Sequence, residues 1–342
     1  MEIFSNAPAI VLVVLLVAFL VFTGARLGLP FVVRRVAGLV FVLFGASFVT
    51  FVLGYFAPTS AVDAQLGEKW TPEKAARLYH HYGLDLPPWQ QYGNFLNRLL
   101  HFDLGESYLQ PGRAVWDIIR QQLPASILLG LSAVILAVVV GVSAGLIAAL
   151  RSNTRYDTTI QGASLFFYAL PTFVLVPFYR VFMLFLYNND LPHLPLSSTD
   201  FGFSHPEQMI APILIFSAVQ IAFWIRITRT SMLEVQRQDY VRTAKAKGLS
   251  GRSVVWRHSF RNAMIPLITA IGPAIALIVN GAFITEALFN IQGIGFTTLQ
   301  SIGQNNFPVL EGTVMLLAVS VAVMNLVTDV AYGVADPRIK SS

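Results

Sequence analysis

Cysteine is absent from the 342 residues, which excludes disulfides, thiolate catalysis and cysteine-ligated metals and leaves the redox compartment open. Charge is scarce as well. Asp, Glu, Lys and Arg make up 12% of the chain against 55% hydrophobic residues, where a soluble domain carries about 25% charged residues. So little polar surface cannot solvate a globule, so lipid is the outer solvent and the chain is an integral membrane protein. A G-x-x-x-x-G-K-[ST] phosphate loop is also missing, which excludes ATP hydrolysis by the usual P-loop chemistry within this chain. Histidines are badly spaced for a metal: His80 and His81 are neighbours that point to different helix faces, and His101, His193, His205 and His258 lie far apart, so no ligand set is expected. The net charge of +5 is no pointer to nucleic acid, because membrane proteins keep Lys and Arg in cytoplasmic loops as topology determinants.

What the sequence has in quantity is long apolar runs. A spanning helix needs about 20 mostly apolar residues, and seven segments qualify, at roughly 8–25, 36–57, 125–150, 159–187, 209–230, 266–289 and 309–334. Arg26, Arg34 and Arg35 lie between the first two, and Arg151 and Arg155 follow the third. Arg229, Arg237, Arg242, Lys245, Lys247, Arg252, Arg257 and Arg261 crowd the loop after the fifth, and Arg338 and Lys340 close the chain. Alternation puts these clusters on one face, expected to be the cytoplasm, with the carboxy terminus inside and the amino terminus outside. Residues 1–25 lack a basic start, and Thr23-Gly24-Ala25-Arg26 is a poor cleavage site, so a retained helix is expected rather than a signal peptide.

The polar stretch 58–124 reads as a folded external loop. Thr71-Pro72-Glu73 has the form of a helix start, a capping hydroxyl followed by Pro at the first helical position. Its apolar residues, Trp89, Tyr92, Phe95 and Leu99 among them, suit either a lid on the bundle or a docking surface for an external solute-binding protein. Gly141-Val142-Ser143-Ala144-Gly145 matches the G-x-S-x-G of hydrolases, but inside an apolar span it reads as G-x-x-x-G helix packing. Charged groups within spans are costly and default to functional candidates. Of these, Glu286 either attracts a solute or holds a helix end or partner, Arg180 sits in the fourth span, Arg226 is expected at the cytoplasmic edge, and Asp329 is expected to pair with a loop base. Gln220 and Asn280 are candidates for a polar path.

The richest segment is the loop from Glu234 to Pro266. Asp239 to Lys247 is basic and helix-prone, and Gly248 stops it as a C′ glycine does. Ser250 or Ser253 caps a second short helix carrying Val254, Val255, Trp256 and Phe260. Two short helices with a sharp break at a membrane face suit docking of a soluble partner.

These residues carry a resemblance. Asp239, Tyr240, Val241, Thr243, Ala244, Ala246, Lys247, Gly248 and Leu249, followed by Arg252, His258 (displaced by one), Arg261, Asn262 and Pro266, resemble the EAA-type loop of ABC importer permeases. The specific likeness is to the dipeptide/oligopeptide/nickel permease family. Arg242-Thr243-Ala244 stands where other importers carry Glu-Ala-Ala. Gly83-Leu84-Asp85, Pro87, Gln91-Tyr92, Asp103 to Ser107, Leu123 to Ser126, Glu286 to Phe289, Gly293-Ile294-Gly295 and Asp336-Pro337-Arg338 also look like that family. The likeness runs from about Phe31 to the end, and an extra helix precedes it.

The resemblance implies an all-α integral membrane fold of the type I ABC importer permease kind. It divides the chain into an extra helix in residues 1–30 and a permease domain in 31–342, with an external loop at 58–124 and a coupling loop at 231–265. It further implies a second permease, two ATPases that hold ATP and Mg, an external binding protein, and the bacterial inner membrane as location. No cofactor or catalysis is expected in this chain. Asp239, Tyr240, Thr243, Ala244, Lys247, Gly248 and Leu249 are the implied ATPase-coupling residues, with Tyr240, Ala244, Gly248 and Leu249 making the contact. Peptides are the implied cargo, with nickel chelates, glutathione or oligosaccharides as alternatives; an ATP-independent secondary transporter is the reading from another class.

Overall fold

The computed structural model describes residues 29–56, 66, 71–280 and 282–335, with the backbone alone for 29, 31–32, 271–280 and 326–335. The first predicted span, most of 57–70 and the Asp336-Pro337-Arg338 motif lie outside the described residues. Among those described the structure is helical, apart from an isolated bridge between Glu106 and Ala114. Among the described residues four helices are long and apolar enough to cross a membrane, or five if one bent pair counts as a span. Many of their large apolar side chains face outward, Phe41, Val139, Phe178 and Val181 among them. Water would not tolerate such a surface, and lipid is the solvent that does.

The chain divides into two compact units. The first joins the residues up to Leu123 with those from Thr297 on. Its spans are α1 (Leu29–Tyr55), the start of α4 (Val115–Leu150) and α12 (Phe307–Ala335), and it also holds α2 (Pro72–His81) and α3 (Pro88–Leu100). Helix α1 packs along α12. At Gly54 a Cβ would come within 2.8 Å of the Phe307 ring, so the backbones approach closely there. Tyr92 of α3 sits among Phe44, Phe48 and Phe51 of α1 and meets Ser47 Oγ at 3.0 Å.

The α2–α3 segment folds as its sequence reads. Thr71 Oγ1 accepts the Lys74 N–H at 3.4 Å with Pro72 at the first helical position. Gly83 turns the chain at φ +67°, and Gln91 Nε2 donates to the Leu84 and Leu86 carbonyls.

The second unit runs from Pro124 to Phe296. It contains the rest of α4, then α5 (Arg155–Ala169), α6 (Thr172–Asn188), α7 (Pro206–Gln236), α8 (Asp239–Ala246), α9 (Arg261–Asn280) and α10 (Phe283–Phe289); α11 (Ile294–Gly303) begins at its end. The predicted G-x-x-x-G packing forms here. A Cβ on Gly141 would lie 2.4 Å from Trp224 Cβ, and one on Gly145 2.7 Å from the Ile225 carbonyl. Helix α4 therefore presses its backbone onto α7, while Ser143 points outward.

Two predicted spans differ from expectation. The fourth, 159–187, is not one rod: α5 and α6 meet at 100°. Pro171 has no N–H to give and drives Leu170 into extended backbone, φ −91° and ψ 113°, which ends the helix. The sixth, 266–289, stops as α9 at Asn280 and resumes as the separate short α10.

Candidate coupling loop and the Glu286 cradle

The segment between α7 and α9 is a small folded module. Helix α8 ends at Ala246, and Gly248 just beyond it turns the chain with a φ of +76°, a left-handed conformation that glycine adopts without strain. The Gly248 N–H bonds to the Lys245 carbonyl at 3.0 Å, and the Leu249 N–H to the Ala244 carbonyl at 3.4 Å. A Cβ on Gly248 would meet nothing within 4 Å, so the residue is needed for its backbone angle and not for space. Ser250 is the cap of the two candidates, its Oγ accepting the Ser253 N–H at 3.4 Å.

After one turn, Gly251–Ser253, the chain widens into a π-helical stretch, Val254–Phe260, before α9 begins. Sequence pattern anticipated a plain short helix there; the π stretch is a rarer geometry, frequent at functional sites.

A minimal apolar core holds the module closed. Val241, Ala244 and Val254 are buried together, with Val235 of α7 packed against them. Ala244, one of the implied coupling residues, is 5% exposed, and its methyl packs in the module's own interior. The other predicted residues point outward. Tyr240 is 42% and Leu249 43% exposed, and Asp239, Thr243, Lys247 and Gly248 are exposed as well. The Tyr240 hydroxyl accepts from Asn262 Nδ2 at 3.0 Å, and the same nitrogen donates to the His258 carbonyl at 2.8 Å. Thr243 Oγ1 donates back to the Asp239 carbonyl, and Arg242 lies 3.8 Å from the exposed Asp239 carboxylate, a contact of little worth in water.

Glu286 behaves in the opposite way. It is 0% exposed. Its Oε1 accepts from Ser126 Oγ at 2.7 Å and its Oε2 from the Phe296 N–H at 3.0 Å, while Ser126 Oγ in turn accepts the Ile294 N–H at 2.8 Å. Gly293 makes room for this, since a Cβ there would lie 2.4 Å from Glu286 Oε2 and 2.6 Å from Ser126 Oγ. Three motifs that stand apart in the sequence, around Ser126, Glu286 and Gly293, are thus one structure.

The end of α10 is satisfied too. Arg180 donates from Nη2 to the Leu288 carbonyl, and the Ser198 N–H bonds the Phe289 carbonyl at 2.7 Å. Asn290 closes the helix at φ +57°, so carbonyls that a helix end leaves free find donors. Gln220 is half-buried, with its Nε2 3.4 Å from the Phe216 carbonyl of its own helix. The side chains of Asn280 and Asp329 are outside the described residues. Arg226 lies over the Tyr168 ring at 5.0 Å. Among the described residues no three His, Asp or Glu side chains gather as a metal would require.

Sequence reading missed Asp157. Its carboxylate takes Arg229 in two parallel hydrogen bonds, Nε to Oδ1 at 2.7 Å and Nη2 to Oδ2 at 2.8 Å, and accepts the Asn153 N–H and Gln161 Nε2, each at 2.9 Å. By sequence position Arg229 groups with the loop charges that set topology.

The fold and this module define a multi-pass helical membrane protein with a folded polar module between α7 and α9. Residues 141–341 match the family described as binding-protein-dependent transport system inner membrane component, and residues 28–130 match the amino-terminal domain of such membrane components. The di/tripeptide transport system permease protein DppB of Pseudomonas aeruginosa (strain UCBPP-PA14) is 34% identical over 337 residues, covering 91% of this chain and 99% of the relative. The dipeptide transport system permease protein DppB of Escherichia coli (strain K12) is 33% identical over 336 residues, with the same coverage. The protein of that name from Bacillus subtilis (strain 168) is 35% identical over 291 residues, 85% of this chain and 91% of the relative. This chain belongs to the binding-protein-dependent transport system inner membrane component family, the permease subunits of ABC importers, and like them works alongside other subunits.

Proposed function

We propose that this chain forms half of the translocation pathway of an ATP-driven importer of di- or oligopeptides. The cargo reading is supported by the names of relatives that match along nearly the whole chain. The ATPase docks at 231–265, against Asp239, Tyr240, Thr243, Lys247, Gly248 and Leu249, while Ala244 keeps the module shut from inside. The observation that carries this is the module itself: a private core of three buried residues that presents Tyr240 and Leu249 to the outside. A loop needed only for topology has no use for a core.

Movement of the docked ATPases then reaches the spans as a rigid-body push, which suits alternating access. The full architecture on this reading is seven spans: a helix in residues 1–30 added to the six of a permease domain in 31–342. The amino terminus lies outside, the carboxy terminus in the cytoplasm, and the location is the bacterial inner membrane. The external loop 58–124 receives a solute-binding protein. A second homologous permease completes the pathway, two ATPase chains hold ATP and Mg, and this chain itself carries out no catalysis. Gln220 and Asn280 are its pathway candidates; the occupied cradle turns Glu286 toward a scaffold role.

The test is uptake of a labelled di- or oligopeptide into vesicles containing this chain with the ATPase, second permease and binding protein encoded beside it. ATP-dependent uptake that disappears with Gly248→Asp supports both cargo and coupling loop. Assembly with the ATPase but no peptide uptake overturns the cargo; no association with any ATPase overturns the reading as a whole.

A further inference from the structure

The pair Asp157–Arg229 needs an explanation that topology does not provide. A charge that only marks the cytoplasmic side works best exposed and solvated, yet Asp157 has 4% and Arg229 20% of its side chain exposed. The Asp157 carboxylate is fully engaged, by Arg229 twice, by the Asn153 N–H and by Gln161. Asn153 supplies that N–H from a left-handed backbone position, φ +61°, so the turn that starts α5 is bent toward the same carboxylate. Two parallel bonds between a planar guanidinium and a carboxylate fix orientation as well as distance. The result is a rigid joint between the first turn of α5 and helix α7.

The place of the joint on α7 gives it its meaning. Arg229, Met232 and Val235 recur every three residues along the last turns of α7, and so lie near one face. Val235 packs into the core of the docking module with Val241, Ala244 and Val254. Met232 is buried against Ala149 of α4 and Ala263 of α9. Arg229 holds α5. One helix end therefore grips the module, α4, α9 and α5 in succession. Among the described residues the last of these links is the ionic, directional one; those to α4 and α9 are apolar packing, and the module follows α7 directly in the chain. Beyond α5 comes the 100° bend into α6, so whatever turns α5 also swings the arm after Pro171.

We infer that Asp157 and Arg229 are positioning residues for coupling: the joint through which displacement of the docking module, carried by α7, is passed to the α5–α6 arm. This rests on the proposed ATPase docking at 231–265.

The experiment uses the whole assembly in proteoliposomes, with ATPase chains, second permease and binding protein, and reads two quantities, ATP hydrolysed and solute accumulated. Asp157→Asn leaves Arg229 with a neutral partner, whereas the double variant Asp157→Asn with Arg229→Gln removes both charges and leaves no unpaired ion to unfold the site. The double variant is expected to co-purify with its ATPases at the native ratio and to transport at least tenfold less solute per ATP. Arg229→Lys keeps the charge but not the fork, and is expected to lie between. A native transport-to-ATP ratio in the double variant overturns the joint. So does a loss of transport that merely follows a loss of assembled complex, with the ratio per complex unchanged. The docking reading fails separately, if the unmodified chain binds no ATPase or if Gly248→Asp leaves the ratio untouched.

Discussion

The 231–265 module and the Glu286 cradle lie in the same unit and both carry sequence motifs, yet they turn their polar residues in opposite directions. In the module the apolar residues turn in, Val241, Ala244 and Val254 making a core, and Tyr240, Lys247 and Leu249 are left outside. In the cradle a carboxylate turns in, and serine, glycine and backbone N–H groups close over it. A motif that leaves groups unpaired at the surface offers them to another molecule. A motif that pairs every group internally is holding the chain itself together. Burial therefore separates the two arrangements, where motif membership alone does not.

The strongest way to break this contrast is at Glu286. Glu286→Ala leaves the Phe296 N–H and the Ser126 hydroxyl without their acceptor and should cost about 3 kcal/mol, visible as a lower melting temperature and poor recovery in detergent. Glu286→Gln should also destabilise, by roughly half as much, because its carbonyl can serve the Phe296 N–H but its NH2 then faces Ser126, whose hydroxyl proton loses its acceptor. Normal thermal stability of Glu286→Gln together with lost uptake would place this residue on the solute path and erase the contrast.

Next comes Ala244→Arg. An arginine cannot enter a core of three small residues, and forcing α8 away from Val254 should cost roughly 2–4 kcal/mol locally. The expected result is a folded membrane domain with normal melting that no longer retains its ATPase. Retention of the ATPase would mean that the Ala244 methyl does not seal the module.

Gly248 sharpens the comparison, because conformation and contact can be separated there. Gly248→Ala meets no neighbour and should cost only the positive φ, about 1 kcal/mol. Gly248→Asp carries the same backbone penalty plus a carboxylate on the exposed face. Peptide-stimulated ATPase activity should fall modestly in the first and be abolished in the second. Equal losses would assign the whole effect to backbone shape and none to docking.

Much of this was legible locally. The Thr71-Pro72 start, the Gly248 stop and the Gly141/Gly145 packing stripe are properties of a few adjacent residues, and each took the form its chemistry dictates. What escaped was non-local or hidden by uniform composition. Asp157 and Arg229 are separated by 72 positions and Ser126 and Glu286 by 160, so no window contains either pair. The α5–α6 bend is hidden differently: Leu170-Pro171 lies within an apolar run, so hydropathy reads straight through it. The burial of Ala244 is hidden for a third reason: a motif names a residue without saying which way its side chain faces.

The smallest effect is expected in the α2–α3 segment, where the rule of internal pairing meets full solvent. His80 Nδ1 and Asp85 Oδ2 are 2.8 Å apart, with 84% and 43% of their side chains exposed. The hydrogen bond to Asp85, reinforced by its charge, raises the His80 pKa above the usual 6.5, and the same bond lowers that of Asp85. A raised histidine contributes most below its unfolded pKa and loses that contribution as pH rises through the folded value. A lowered aspartate contributes above its unfolded pKa and loses it as pH falls. The pair therefore acts only between the two titrations, in mildly acidic to neutral solution. Exposure screens it, so Asp85→Asn should return the His80 titration, followed by ring-proton NMR, toward the ordinary value without moving the melting temperature. A clear drop in melting temperature would show that an exposed pair here does scaffold work, and that pairing, more than burial, is what distinguishes the cradle from the docking module.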